Sequence, residues 1–146
     1  MDADACPVKQ EIIQTARRFG IGVWMVASYA HRLVPEEGVE VFQVDPSDQS
    51  ADLFLANRLQ PGDVLVTQDF GLATIGLAKR AVVLSNRGQE YRDETIDFLL
   101  DTRHAQAKKR RAGKHTKGPK PFSDEDRARF LHSLTKVLGA MQEKTQ

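Results

Sequence analysis

Carboxylates stand in this chain where apolar runs stop or helices begin. Asp2 and Asp4 precede Cys6-Pro7, a helix start. Asp52 lies in the first turn of a later helix, and Asp69 closes Thr67-Gln68-Asp69 directly after an apolar run. In open α/β sheets, ligands bind beyond the carboxyl ends of the strands. Carboxylates delivered to one such edge would repel one another unless a divalent cation neutralised them. All-oxygen ligand sets select hard ions, so Mg²⁺ or Mn²⁺ is the expected occupant. Ions of that kind stabilise the oxygens of a phosphoryl displacement, which makes phosphodiester hydrolysis the natural reaction class. Each acid also has an ordinary explanation. Asp52 serves equally as a first-turn charge on the helix dipole, Asp69 as an N-cap, and Asp2 and Asp4 as solvated terminal residues.

The elements that must position these groups are legible from the apolar pattern. Pro7 suits a first helical turn, and Ile12, Ile13, Ala16 and Phe19 recur at helical spacing until Gly20. Residues 22–27, 39–44, 63–67 and 81–84 are short apolar runs of strand length. Asp48 or Ser50 is placed to cap a helix over Leu53, Phe54, Ala56 and Leu59, which Pro61-Gly62 ends. Residues 70–79, 94–109 and 124–141 read as helices, the last opened by Ser123. Strands alternating with helices imply βαβ units and a mainly parallel sheet buried on both faces. Trp24, inside the first run, is expected in the core. Further polar groups follow the strands: Ser28, Tyr29 and His31 after the first, and Ser85, Asn86 and Arg87 after the last. The histidines His31, His104, His115 and His132 lack metal-binding spacing and are expected at the surface. Cys6, at a helix N-terminus, reads as a packing or cap residue rather than a nucleophile.

With 146 residues the chain fits one domain, and 40% apolar against 28% charged residues excludes wholesale disorder. No apolar run reaches membrane-spanning length, so no membrane is expected. The opening Met1-Asp2-Ala3-Asp4 reads against a secretory signal, and the single cysteine suits a reducing, cytoplasmic setting. The net charge of +1 hides an asymmetry. Residues 1–101 carry 16 acids and 9 bases, residues 102–123 carry 8 bases and no acid, and residues 124–146 balance at 4 and 4. The expected division is an α/β body over 1–101, a basic helix end and loop over 102–123, and a C-terminal helix over 124–146 in the same domain. The middle segment contributes Lys108, Lys109, Arg110, Arg111, Lys114, Lys117 and Lys120 to phosphate contacts. Its glycines and proline keep it from continuing a helix. A solvated tail between two helices is the plainer reading. Few aromatic residues accompany these bases, so backbone contacts rather than base readout are expected.

Four stretches, DADACPV, SADLFLAN, GDVLVTQDFGLA and RRAGKHTKGPK, resemble the YaiI/YqxD (UPF0178) family. That family is similar to PIN-like domains, the α/β folds of metal-dependent ribonucleases. The resemblance implies a PIN-like three-layer sandwich with a mainly parallel sheet and C-terminal helices. It implies metal ligation by Asp2, Asp52 and Asp69, with Asp4 as a further polar group and Thr67 bracing the last acid. Only Met1 precedes DADACPV, so the first strand is expected to be truncated. The Glu that PIN enzymes carry on an earlier helix has no clear counterpart; Asp48 is the substitute candidate, and Glu11 lies on the first helix.

Three functions follow. The first is a Mg²⁺- or Mn²⁺-dependent nuclease acting on RNA, with Asp2, Asp4, Asp52 and Asp69 as catalytic metal ligands. Asn86 and Thr67 would brace them, and Arg87 and the basic segment would hold phosphates. The second is a non-catalytic RNA- or ribosome-associated module. The third, an aspartyl-nucleophile phosphohydrolase, rests only on Asp2-x-Asp4. Substrate identity and any homo-oligomer stay open at this level.

Overall fold

The computed structural model describes residues 1, 6–28, 36–44, 50–94 and 121–145. The elements, in order, are α1 (Lys9–Arg18), β1 (Val23–Ser28), β2 (Val39–Val44), α2 (Ser50–Arg58), β3 (Val64–Val66), α3 (Phe70–Ala78), β4 (Val82–Leu84), β5 (Glu90–Tyr91) and α4 (Asp124–Thr145). The chain is therefore α/β. No helix among the described residues is long and apolar enough to cross a membrane. The expected helix 94–109 and the basic residues Lys108 to Lys120 lie outside the described residues, as do Asp2, Asp4, Asp48, Tyr29, His31, His104 and His115.

The described strands form two sheets rather than one. β1 and β2 pair in parallel, with Val23 opposite Val39. β3 and β4 pair in parallel, with Val64 opposite Val82, and β5 adds antiparallel to β4. Both sheets nevertheless share the same two cores. Val23, Met25 and Ala27 of β1 join Val66 and Leu84 beside Ile12, Ile13 and Ala16 of α1 and Phe130, Leu134 and Leu138 of α4. On the opposite side Val26 joins Leu65 and Val83 beside Leu55 of α2 and Leu72 and Ala73 of α3. The period-two alternation of the strands thus sends successive side chains to helices on opposite faces.

Trp24 departs from expectation. It is 43% exposed. Among the described residues β2 is the one strand paired with β1, and the face that carries Trp24 is only partly covered there. Leu53, on the outer side of α2, is 60% exposed.

Two local devices fix α4. Ser123 and Asp126 form a reciprocal cap: Asp126 N–H donates to Ser123 Oγ at 3.2 Å, and Ser123 N–H donates to Asp126 Oδ2 at 3.0 Å. Gly88, in the β4–β5 turn, has φ +83°, and a Cβ there would lie 2.6 Å from the Arg129 carbonyl oxygen. Only glycine lets the turn and the α4 backbone come this close. The Ser133 hydroxyl donates to the Gly88 carbonyl at 2.7 Å across this contact. On the other side of α4, Arg127 pairs with Glu11 of α1 at 2.6 Å.

Candidate metal site at the strand ends

The carboxyl end of β3 and the start of α2 bring two of the four candidate acids together. Thr67 follows β3, is 1% exposed, and its N–H donates to the Leu84 carbonyl at 3.1 Å. Its hydroxyl oxygen accepts the Asp69 N–H at 3.1 Å. This turn aims Asp69 at the N-terminus of α3, where Oδ1 accepts the Leu72 N–H at 2.9 Å. The ordinary capping role foreseen for Asp69 is therefore real, and it occupies one carboxylate oxygen. Asp52 sits in the first turn of α2. Partial burial pushes its carboxyl above the usual carboxylate range, and the negative charge of Asp69 pushes it further. The two carboxylates are thus close enough to repel across the gap between α2 and the β3–α3 turn.

The β4 end supplies the neighbouring wall. Ser85 and Asn86 are 4% and 3% exposed. Ser85 Oγ accepts the N–H groups of Arg87 and Gln89 at 3.2 and 3.1 Å, so it shapes the turn rather than facing a ligand. Asn86 Oδ1 lies 3.9 Å from Cys6 Sγ, which is buried. Cys6 therefore has the packing role expected of it. It also ties the segment before α1 to the β4 end. Met1, at the other end of that segment, donates its amino group to the Trp24 carbonyl and accepts the Val26 N–H at 3.0 Å.

Arg87 is engaged differently from expectation. Its guanidinium pairs with Asp126 Oδ2 at 2.7 Å and lies 5.8 Å from the centre of the Phe122 ring. It joins the β4–β5 turn to the cap of α4. Glu11, paired to Arg127, is likewise a helix-to-helix tie. Neither partner could be found from the sequence, because each lies more than thirty positions away along the chain. His132 is exposed, as expected. Among the described residues no three His, Cys, Asp or Glu side chains gather as a metal-binding set.

Two carboxylates suffice in kind for Mg²⁺, which takes one or two protein carboxylates and completes its shell with water and substrate oxygens. The donor chemistry of Asp52 and Asp69 fits such an ion, and their mutual repulsion is what a cation would relieve.

Comparisons with known proteins place the chain in a family. The sequence profile described as uncharacterized BCR, YaiI/YqxD family, matches residues 1–140. A UPF0178 protein of Listeria monocytogenes is 49% identical over 138 residues, covering 94% of this chain and 93% of its own. A UPF0178 protein of Bacillus velezensis is 48% identical over 139 residues, covering 94% of this chain and 83% of its own. One from Shouchella clausii is 49% identical over 138 residues, with 94% and 90% covered. The chain belongs to the YaiI/YqxD (UPF0178) family. No solved structure matches it.

Proposed function

We propose that this protein is a Mg²⁺- or Mn²⁺-dependent nuclease of PIN-like type, acting on RNA. The carrying observation is that Asp52, in the first turn of α2, is raised above the usual carboxylate range by burial and then by the charge of Asp69, which caps α3 just beyond β3. Asp52 and Asp69 would hold the ion, together with Asp2 and Asp4. The residues flanking those two acids in sequence support this: Met1 bonds to β1, and Cys6 lies against Asn86. A bound divalent ion would supply Lewis acidity and charge neutralisation to a phosphodiester. Thr67 holds the Asp69 main chain, and the α3 cap fixes its carboxylate, so that acid is oriented before anything binds. The PIN-like sandwich is part of this reading, supported by helices on both faces of parallel strand pairs. The basic residues Lys108, Lys109, Arg110, Arg111, Lys114, Lys117 and Lys120 would hold the substrate's phosphates.

Asp69→Asn is the informative variant, because asparagine caps a helix about as well as aspartate. Fold and cap survive while the charge is lost. Calorimetric titration with Mn²⁺ and cleavage of single-stranded RNA are the measurements. The variant is expected to lose Mn²⁺ binding and at least about 100-fold in cleavage rate. Equal Mn²⁺ binding and equal cleavage by both proteins would remove the nuclease reading. The capping role of Asp69 favours a second reading, a non-catalytic RNA-binding module. In that case RNA binding would survive Asp69→Asn, and no cleavage would be seen with either protein.

A further inference from the structure

α3 differs in kind from the rest of the chain. Charged residues make up 28% of the sequence, yet Phe70 to Ala78 contain none. One side of this helix is spent on the core, where Leu72, Ala73 and Gly76 are buried beside Leu65 of β3 and Val83 of β4. The opposite side consists of Gly71, Thr74, Ile75 and Ala78, all exposed and spaced i, i+3, i+4, i+7 as one helical face. Ile75 is 38% exposed. Thr74 donates its hydroxyl back to the Phe70 carbonyl at 2.9 Å, so its polar group is used within the helix. Leu53, itself exposed, stands on the outer side of α2, which packs beside α3. A helix that is apolar all round belongs in a buried setting, and an exposed apolar patch of this kind marks a contact face.

The face matches its own reverse. A two-fold axis passing between Thr74 and Ile75 lays two copies of α3 antiparallel, with Gly71 opposite Ala78 and Thr74 opposite Ile75. Every residue of the exposed face then meets another residue of that face. Gly71 and Ala78 are small, so the two axes can approach to about 8 Å. The same register matches the charges at the helix ends. Asp69 caps the N-terminus and Arg80 follows the C-terminus, and both are exposed. Antiparallel pairing sets Asp69 of each copy level with Arg80 of the other and opposes the two helix dipoles favourably. Parallel pairing would instead set Asp69 against Asp69. Lys79 is already engaged, because its ammonium bonds to the Ala56 carbonyl.

We propose that the outer face of α3, with Leu53 of α2 at its margin, is the contact face of a two-fold symmetric homodimer. Symmetry and charge together select a second copy of this chain over another protein. An unrelated partner would demand neither a face equal to its own reverse nor opposite charges at equal distances from the centre. The uncharged middle of α3 supplies the apolar burial, and Asp69 and Arg80 at the rim fix the register. This inference does not rest on the nuclease reading, and no measurement that tests it involves metal or cleavage.

Sedimentation velocity of the full chain over a concentration series reads the mass directly. The wild type is expected to pass from monomer to dimer as concentration rises. Ile75→Glu places a charge beside the axis in each copy and should raise the dimer dissociation constant at least about 30-fold. Its position is exposed, so the circular dichroism spectrum should be unchanged. Arg80→Glu faces Asp69 of the second copy and should weaken the dimer by about tenfold, less at high salt. Thr74→Cys should cross-link to itself on oxidation, because the axis passes beside it. Gln14→Cys, exposed on α1 across the sheets from α3, should not. A monomer at every concentration overturns the proposal, and so does a dimer untouched by Ile75→Glu. If Ile75→Glu fails to fold, the cysteines decide: a dimer in which Thr74→Cys stays uncross-linked, or cross-links no faster than Gln14→Cys, overturns the α3 face.

Discussion

At Asp69, one carboxylate oxygen is spent on the α3 cap while the residue's own N–H is held by Thr67. At Asp52, burial and then the charge of Asp69 both oppose ionisation. A folded-state pKa raised above the unfolded value means that the fold loses stability as pH rises from the ordinary carboxylate range through the raised value. In the presence of a chelator, Asp52→Asn should therefore melt higher than the wild type at pH 7, by no more than about 1 kcal/mol because the site is partly exposed. The difference should vanish at pH 3, where both states are protonated. Added Mn²⁺ should raise the wild-type Tm and leave the variant unchanged. Paired thermal melts at the two pH values, with and without Mn²⁺, check this. The pairing was legible in the sequence because both acids sit where an α/β sheet delivers ligands. The extent of repulsion was not, since it depends on how closely α2 approaches the β3–α3 turn.

Among the elements, the strands over 39–44 and 81–84 and the helices around 9–18, 50–58 and 70–78 follow the apolar pattern closely. β5 escapes that reading because two residues, Glu90 and Tyr91, carry no periodicity. The Trp24 expectation fails for a related reason: a pattern shows which residues suit a buried strand, not how fully each face of it is covered. The opening of α4 was legible in Ser123 and the acids after it, but the ion pair that reinforces it was not. Asp126 is held below the usual carboxylate range, first by the Ser123 N–H; burial, next in size, opposes this, and the Ser123 hydroxyl, Arg87 and Arg129 add to the lowering. A depressed pKa contributes stability above the unfolded value, near about 3.9, and that contribution fades as pH falls below it. The wild type should thus lose Tm between pH 4 and 2 more steeply than Asp126→Asn, which starts lower at pH 7. Differential scanning calorimetry across that range gives the comparison.

At the scale of the molecule, an acidic body carries eight bases within 102–123. If three or four of them meet phosphates of single-stranded RNA, the logarithm of the binding constant should fall with the logarithm of salt concentration at a slope of about −2 to −3. Replacing Lys108, Lys109, Arg110 and Arg111 with glutamine should flatten that slope, as fluorescence anisotropy at a series of salt concentrations would show. The charge division was plain from the sequence; the split of the strands into two sheets was not, because pairing between distant segments leaves no local trace. The core that holds the body together joins Val8, Ile12 and Met25 to Phe130, Leu134 and Leu138. During translation the first three leave the ribosome long before the last three. The nascent body must therefore wait, with one hydrophobic face bare, until α4 emerges, and over that interval it is a natural client for chaperones.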